Sequence, residues 1–396
     1  MTSAMPSLSR VNSREPGAAV LVVAASARAL AQAARRAGYR PLAADFFGDL
    51  DTQTVCARTR LIEDGLDKGF TKEALLPALD DLAQADAPIG LVYGAGFEDR
   101  PELLGFIARR FPIIGNSADV LRRVKDPVLL AGLCASLDIP HPRISLAKPP
   151  DPTGWLAKHI GGAGGSHISP ATTLTGPDER IYFQQFAQGE PVSLLFLADG
   201  GNTHAIGFSR QWPLPTPDEP FRFGGSSRPA RLPKKTASEL LRAAQKITAR
   251  CGLKGLNSVD FLVQGGEWTL IEINPRPGAT LDIFDGKGGA LFRTHMASCS
   301  GHLPIRRFAF SGAATAAIAY TAYDVACMPK IAWPRWAADR QRPKSQVRTG
   351  GAVCTVRACA RGPGKARALL NKRIKWILDR LDEAQEKTKR NEETLQ

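Results

Sequence analysis

Val259–Pro275, VDFLVQGGEWTLIEINP, is the stretch whose reading decides the fold: two runs of alternating apolar and polar residues flank a glycine turn. Taking Gly265–Gly266–Glu267 as a three-residue loop pairs Gln264 with Trp268 and sets Asp260 opposite Glu272. Asn274, two residues on, shares their face. Val259, Phe261 and Val263 with Ile271 and Ile273 then make an apolar face. Opposed residues have Cβ atoms about 4.5–5.5 Å apart, where two carboxylates repel unless a cation compensates them. Two carboxylates and an amide oxygen suit Mg²⁺, or Mn²⁺, completed by water and phosphate oxygens, better than zinc or copper. The plainer reading is a solvated sheet face with Asn274 opening a turn; the clean apolar face weighs against it. Arg276 adds a planar cation next to this set, for a phosphate or carboxylate, or for a surface pair with Asp282 or Asp285.

Two further stretches fit the same chemistry. In Trp155–Ile168, WLAKHIGGAGGSHI, a strand carrying Lys158 enters a loop holding Gly161, Gly162, Gly164 and Gly165. Glycines let backbone amides approach a phosphate, and Lys158 reaches the same place. This is not the phosphate loop in which Lys-Ser/Thr follows the glycines. A hairpin tip with a solvated lysine explains it as well. His167 is a candidate substrate contact. Ile181–Leu197, IYFQQFAQGEPVSLLFL, offers an extended backbone for an adenine edge near Gln184 and Gln185, Phe186 to cover the ring and Glu190 for ribose hydroxyls. Two core strands and a turn account for it equally.

Outward from there, AAVLVVA at 18–24, the alanine-rich segment to Gly38, Tyr39–Asp45, a helix at 72–85 and Ile89–Tyr93 alternate as strand and helix, predicting a parallel sheet. Helix interrupted by Pro127 spans 119–137, residues 153–232 are strand-rich, and helix returns at 236–250. A terminal helix starts near 364 and its final dozen polar residues are expected to fray. The chain has 396 residues, too many for one core, and its 43% hydrophobic and 23% charged content is that of a globular protein. The first 17 residues lack the apolar core of a secretion signal and no run is long enough to span a membrane, so a cytoplasmic location is expected. Seven scattered cysteines make neither zinc spacing nor a disulfide framework. The net charge of +14 is spread along the chain, so nucleic acid is not the expected partner. A general field for anionic ligands and a bare composition bias both explain it.

Taken in order, Lys125, Lys158 with its glycine loop, the 182–190 segment and Asp260…Glu272-x-Asn274-x-Arg276 resemble the ATP-grasp superfamily. The phrases LVYGAGFEDRPELL, IIGNSADVLRRVKDP and AVCTVRA resemble a subgroup of predicted ATP-dependent carboligases of one-carbon metabolism, where related enzymes join glutamate to an amine such as tyramine in methylofuran-type cofactors. The resemblance implies an α/β fold: a flexible N-terminus 1–17, a Rossmann-like preATP-grasp domain 18–118, a small subdomain 119–180 and a large one 181–360 enclosing the ATP cleft, then a helix and tail 361–396. It implies ATP and magnesium as cofactors and Lys125, Lys158, the four loop glycines, Gln184, Gln185, Phe186 and Glu190 as ATP contacts, with Asn257 adding a hydrogen bond. Asp260, Glu272 and Asn274 are the implied metal ligands, and Arg276 and Lys158 the catalytic cations. Many relatives have Glu where Gln184 and Gln185 stand, and Glu190 sits one residue earlier than the usual ribose-binding Glu. The implied reaction is carboxylate–amine ligation through an acyl phosphate, with small carboxylate and amine substrates. The alternatives are a phosphotransferase on the same residues, or a non-catalytic nucleotide-sensing or nucleic-acid-binding protein. Arg210 is a candidate for an anionic substrate. A homodimer is compatible with the sequence, which does not decide the oligomeric state.

Overall fold

Ala19–Val23 is buried at every position, which is why it reads as an unbroken apolar run: helices cover both faces of its sheet. Val20 and Val22 pack with Leu30, Ala31 and Ala34 of the helix Arg28–Arg36, while Leu21 and Val23 pack with Leu75, Leu79 and Leu82 of the helix Lys72–Ala83. The sheet is parallel, in the order Arg58–Leu61, Arg40–Asp45, Ala19–Val23, Leu91–Tyr93. Its edge strand Arg58–Leu61, RTRL, escaped the sequence reading because two arginines and a threonine leave no apolar run. The computed structural model describes residues 17–395 except Thr175, Pro177 and Lys287, with side chains as far as Glu386. The segment 1–17 expected to be flexible lies, apart from Gly17, outside the described residues.

A kinked helix pair leads into the second sheet. Asp126 ends Ala118–Lys125 and caps Pro127–Ser136, accepting from the Val128 and Leu129 N–H groups, with Pro127 in the first turn where its missing N–H is harmless. Lys125 is thereby held at a helix end. The sheet is antiparallel, in the order Ile144–Ser145, Ile181–Gln185, Trp155–His159, Ile168–Pro170. Its inner strand Ile181–Gln185 comes from beyond the boundary expected at residue 180, because the pairing of 181–185 with 155–159 was invisible in the sequence.

The third sheet has eight strands, in the order Glu267–Asn274, Lys254–Gln264, Glu190–Asp199, Thr203–Pro213, Phe223–Arg228, Ala313–Tyr320, Ala352–Ala360, Ala337–Ala338. Alternation along Glu190–Asp199 sorts its two faces. Val192, Leu194 and Phe196 pack with the helix Lys234–Cys251, and Leu195 and Leu197 with Leu291, Phe292 and Leu30. Each such side chain, fully buried, contributes roughly 1.5–3 kcal/mol. Leu370, Ile377 and Leu381 of the helix Pro363–Leu395 pack against the sheet's far end. That helix continues to Leu395, through the polar residues expected to fray. No described helix is long and apolar enough to cross a membrane.

The decisive hairpin differs from expectation in its turn. Gln264 pairs with Glu267, so Gly265 and Gly266 alone make the loop, with φ of +59° and +96°. Positive φ at both positions is what a two-residue type I′ turn requires. That shorter turn would set Asp260 opposite Ile271. A bulge restores the step: Phe261 pairs with Leu270 and Asp260 with Glu272, leaving Ile271 as the extra residue. Leu270 accordingly takes the core position expected of Ile271. Ile271 instead lines a cleft beside Glu272.

Candidate active site

The bulged end of the hairpin brings the acidic set into contact. Asp260 faces Glu272 across the pair, and the Asn274 amide Nδ2 donates to Asp260 Oδ2 at 3.0 Å, turning its Oδ1 the other way. Two cations bond to this set and a third lies buried in the adjoining cleft. Lys125 Nζ donates to Glu272 Oε1 at 2.5 Å and to Asn274 Oδ1 at 2.9 Å, and Arg276 Nη2 donates to the same Oδ1 at 3.2 Å. Lys158, buried, donates to Gln184 Oε1 at 3.1 Å. Burial by itself raises a carboxyl; at Glu272 the Lys125 ammonium outweighs it and holds the group below its ordinary range. Asp260 goes up, because burial and then the Glu272 charge both disfavour a second anion. Burial pulls Lys158 down.

Glu272 Oε1 and Asn274 Oδ1 converge on one point, the Lys125 ammonium, while Asp260 next to them accepts from the Asn274 and Gln211 amides. Two carboxylates and an amide oxygen are a hard, all-oxygen donor set, of the kind that suits magnesium finished by water and phosphate oxygens. The Lys125 ammonium shows that the Glu272 and Asn274 oxygens already accept a cation. No group of three or more His, Cys, Asp and Glu suited to a metal occurs among the described residues, so a metal held by Asp260 and Glu272 would need a ligand of another kind, such as the Asn274 amide oxygen.

A cleft opens beside this set, lined by Lys125, Lys158, Gly161, Gly162, His167, Gln184 and Glu272, with Leu130, Ile144 and Ile271 as its apolar wall. Gly161 has φ of +75°, and a Cβ there would lie 2.4 Å from the Asp99 backbone, so only glycine lets this loop settle on the first domain. Gly164 and Gly165 turn away instead. The Gly164 carbonyl accepts from Phe223 N–H at 2.8 Å and Gly165 packs on the Phe221 carbonyl. His167 and His141 both reach the cleft with a buried ring nitrogen lacking a partner among the described residues. Burial lowers both to about 4, so they are neutral near pH 7.

Four expected contacts lie elsewhere. Glu190 and Arg210 form an ion pair with each other. Asp260 is opposite Ser193 and Val263 opposite Glu190, so side-chain alternation puts Glu190 on the other face of the sheet; Arg210, opposite Val192, is there too. Asn257 is fully buried, its amide group bonded to Asn116 and to the Gly255 carbonyl. Phe186 is half-exposed, beyond Gln185, whose N–H is taken by the Arg143 carbonyl. Conversely, Glu98, His141 and Gln211 carried no sequence assignment. Gln211 Nε2 donates to Asp260 Oδ1 at 3.3 Å. Glu98 accepts Arg276 Nε at 2.8 Å and the Gly96 and Phe97 N–H groups at 2.7 and 3.0 Å. Burial would raise its carboxyl, but Arg276 and Lys125 keep it low. Glu98 lies in the quoted phrase GAGFEDRP, yet its partner Arg276 is 178 residues away, and no local pattern reports such a pair.

A family model for the ATP-grasp domain matches residues 133–280. The chain is similar to a D-alanine–D-alanine ligase of Fusobacterium nucleatum, 35% identical over 65 residues, a match covering 16% of this chain and 23% of that ligase. Among solved structures it resembles biotin carboxylase of Campylobacter jejuni in complex with β,γ-ATP, with TM-score 0.65 and 15% identity over 88% of this chain and 89% of that one. It also resembles the ADP complex of N5-carboxyaminoimidazole ribonucleotide synthetase, with TM-score 0.66 and 13% identity over 93% and 98%. These likenesses establish the architecture: the chain contains an ATP-grasp domain at residues 133–280 and has the ATP-grasp fold over most of its length.

Proposed function

We propose that this chain is an ATP-dependent ligase joining a carboxylate to an amine, with release of ADP and phosphate. The observation that carries the reading is that Lys125 bonds Glu272 and Asn274, Arg276 bonds Asn274 and Asp260 pairs with Glu272, while Lys125, Lys158 and Glu272 line one glycine-edged cleft. Phosphoryl transfer asks a protein for positioning and charge neutralisation rather than covalent chemistry, and this set provides both. The ligase relative and the ATP and ADP complexes of the structural neighbours support the same reading.

Asp260, Glu272 and Asn274 would hold magnesium, which when bound spreads the negative charge of the β- and γ-phosphates. Lys125 and Lys158 reach the phosphate chain from two sides, and the backbone at Gly161 and Gly162 covers it. Arg276, held by Glu98, presents its guanidinium to the phosphoryl group in transfer. The substrate carboxylate attacks the γ-phosphorus and the bond to ADP breaks, giving an acyl phosphate. The amine then attacks its carbonyl carbon and phosphate leaves. Neutral His141 and His167 add hydrogen-bonding groups without adding charge. The base and ribose are left to the apolar wall and Gln184, since Glu190 points away.

In its finer form the proposal names glutamate as carboxylate and an amine such as tyramine, in methylofuran-type cofactor synthesis. It rests on the resemblance of LVYGAGFEDRPELL and AVCTVRA to that carboligase subgroup. An ADP-release screen of amino acids crossed with amines, with mass analysis of products, tests it. ADP formation that needs both partners and yields an amide supports ligation. A phosphorylated product that persists without amine replaces it with phosphotransfer, and release of ADP only with other pairs replaces the glutamate–tyramine assignment.

A further inference from the structure

Lys125 holds the same two oxygens that the metal reading requires. Its ammonium lies 2.5 Å from Glu272 Oε1 and 2.9 Å from Asn274 Oδ1. Magnesium takes oxygen ligands at about 2.0–2.1 Å, so an ion bound to those two atoms and an ammonium bonded to both would be in near contact, cation against cation. The surroundings add to the conflict: Arg276 Nη2 also donates to Asn274 Oδ1, and Lys158 is buried in the same cleft. The lysine has little room to withdraw into water. Its side chain is 6% exposed, it ends the helix Ala118–Lys125, and it shares the cleft wall with Val124, Pro127 and Leu130.

From this geometry we propose that Lys125 and a divalent cation compete for Glu272 and Asn274, so that metal enters together with a polyphosphate rather than ahead of it. The inference rests on the metal assignment in the proposed function and adds an order of binding to it. A phosphate chain in the cleft gives the ammonium a second anion to bind, within reach of the same lysine. The exchange then costs no buried charge its partner: Glu272 passes from ammonium to metal as Lys125 passes from carboxylate to phosphate. A metal arriving alone must displace the ammonium with nothing to receive it. Lys125 therefore acts as a positioning residue that guards the carboxylates, in addition to any contact it makes with phosphate.

The test is Mn²⁺ binding to the full chain by electron paramagnetic resonance or calorimetry, with and without ADP. Lys125→Met is expected to bind Mn²⁺ without nucleotide at least about tenfold more tightly than the unaltered protein, equivalent to about 1.4 kcal/mol, and to lose that advantage in the presence of ADP. Lys125→Gln keeps a hydrogen-bond donor for Glu272 while removing the charge, and carries the same expectation should the methionine variant fail to fold. Unchanged or weaker Mn²⁺ affinity in a folded Lys125 variant overturns the competition. Glu272→Gln separates the two readings. If it binds Mn²⁺ as the unaltered protein does, the ligand set itself is wrong; if it loses Mn²⁺ while the Lys125 variants gain nothing, only the competition fails.

Discussion

Two buried arginines, Arg28 and Arg276, make opposite uses of one guanidinium. Arg28 lies between two carboxylates: it pairs with Asp282, and its Nε and Nη2 donate to Asp339 at 2.9 and 2.6 Å. Those contacts tie residues 28, 282 and 339, from three parts of the chain, into one junction, and burial is outweighed by the two anions, which hold the arginine firmly charged. Arg276 has one carboxylate, Glu98, and spends another nitrogen on the Asn274 amide oxygen. A doubly neutralised arginine is a fastener. Arg276, bonded to one carboxylate and lying among the acidic set beside the cleft rather than between two bonded anions, is the better placed of the two to meet a further anion.

The comparison breaks most readily at Arg28. Arg28→Met leaves the partly buried Asp339 without its ion-pair partner and Asp282 with only Arg357, at 3.8 Å, among the described residues, and the loss is expected to be up to about 3–5 kcal/mol in chemical denaturation, with the folded fraction still binding nucleotide. Nucleotide binding lost in parallel would mean that Arg28 serves the cleft as well. At the other arginine, Arg276→Lys keeps the charge and removes the planar fork. ADP release under saturating substrates should fall about 10²–10³-fold, with a much smaller change in the thermal midpoint. Equal effects on turnover and stability would reduce Arg276 to a second fastener.

A smaller effect is expected at Asp49, beside the Arg28 junction. Burial, and then the charge of Asp339, raises its carboxyl from 3.8 to about 6. The folded state therefore holds this proton more tightly than the unfolded one. Asp49 thus favours folding most at low pH, and that contribution is lost as pH rises from about 4 to about 6. Asp49→Asn, which keeps the acceptor for the Asp51 and Thr52 N–H groups, should gain on the unaltered protein across that window by up to about 3 kcal/mol. A difference between the two that does not vary with pH would show that Asp49 does not titrate there. Smallest of all is the Glu190–Arg210 pair, exposed on the sheet face opposite the cleft. Alanine at either position should cost below about 1 kcal/mol and leave nucleotide affinity unchanged, and a loss of affinity would return Glu190 to the ribose.

Much of the large sheet was readable because strand periodicity is local. The alternation in 259–275 announced a hairpin with Asp260, Glu272 and Asn274 on one side, and the step of the pairing survived an error in the turn. The expected three-residue loop and the observed two-residue loop plus bulge both add one residue between Asp260 and Glu272, so their pairing is the same in either case. Ile271 was misplaced for that reason. The bulge moved it from core to cleft, and neither residue type nor spacing distinguishes the two routes.

Residue type and order in this sequence were enough to establish the alternating strands, the glycine loop, the lysines ahead of it and the acidic–amide set, since each is written within a few neighbouring residues. Tertiary structure alone decided which of them meet. It joined Lys125 to Glu272 across 147 residues and Arg276 to Glu98 across 178, and it turned Glu190 and Arg210 away although they lie close in sequence to cleft strands. The physical reason is that a side chain's face follows from local alternation, whereas its partner follows from sheet order and domain packing, which depend on burying apolar faces far apart in the chain.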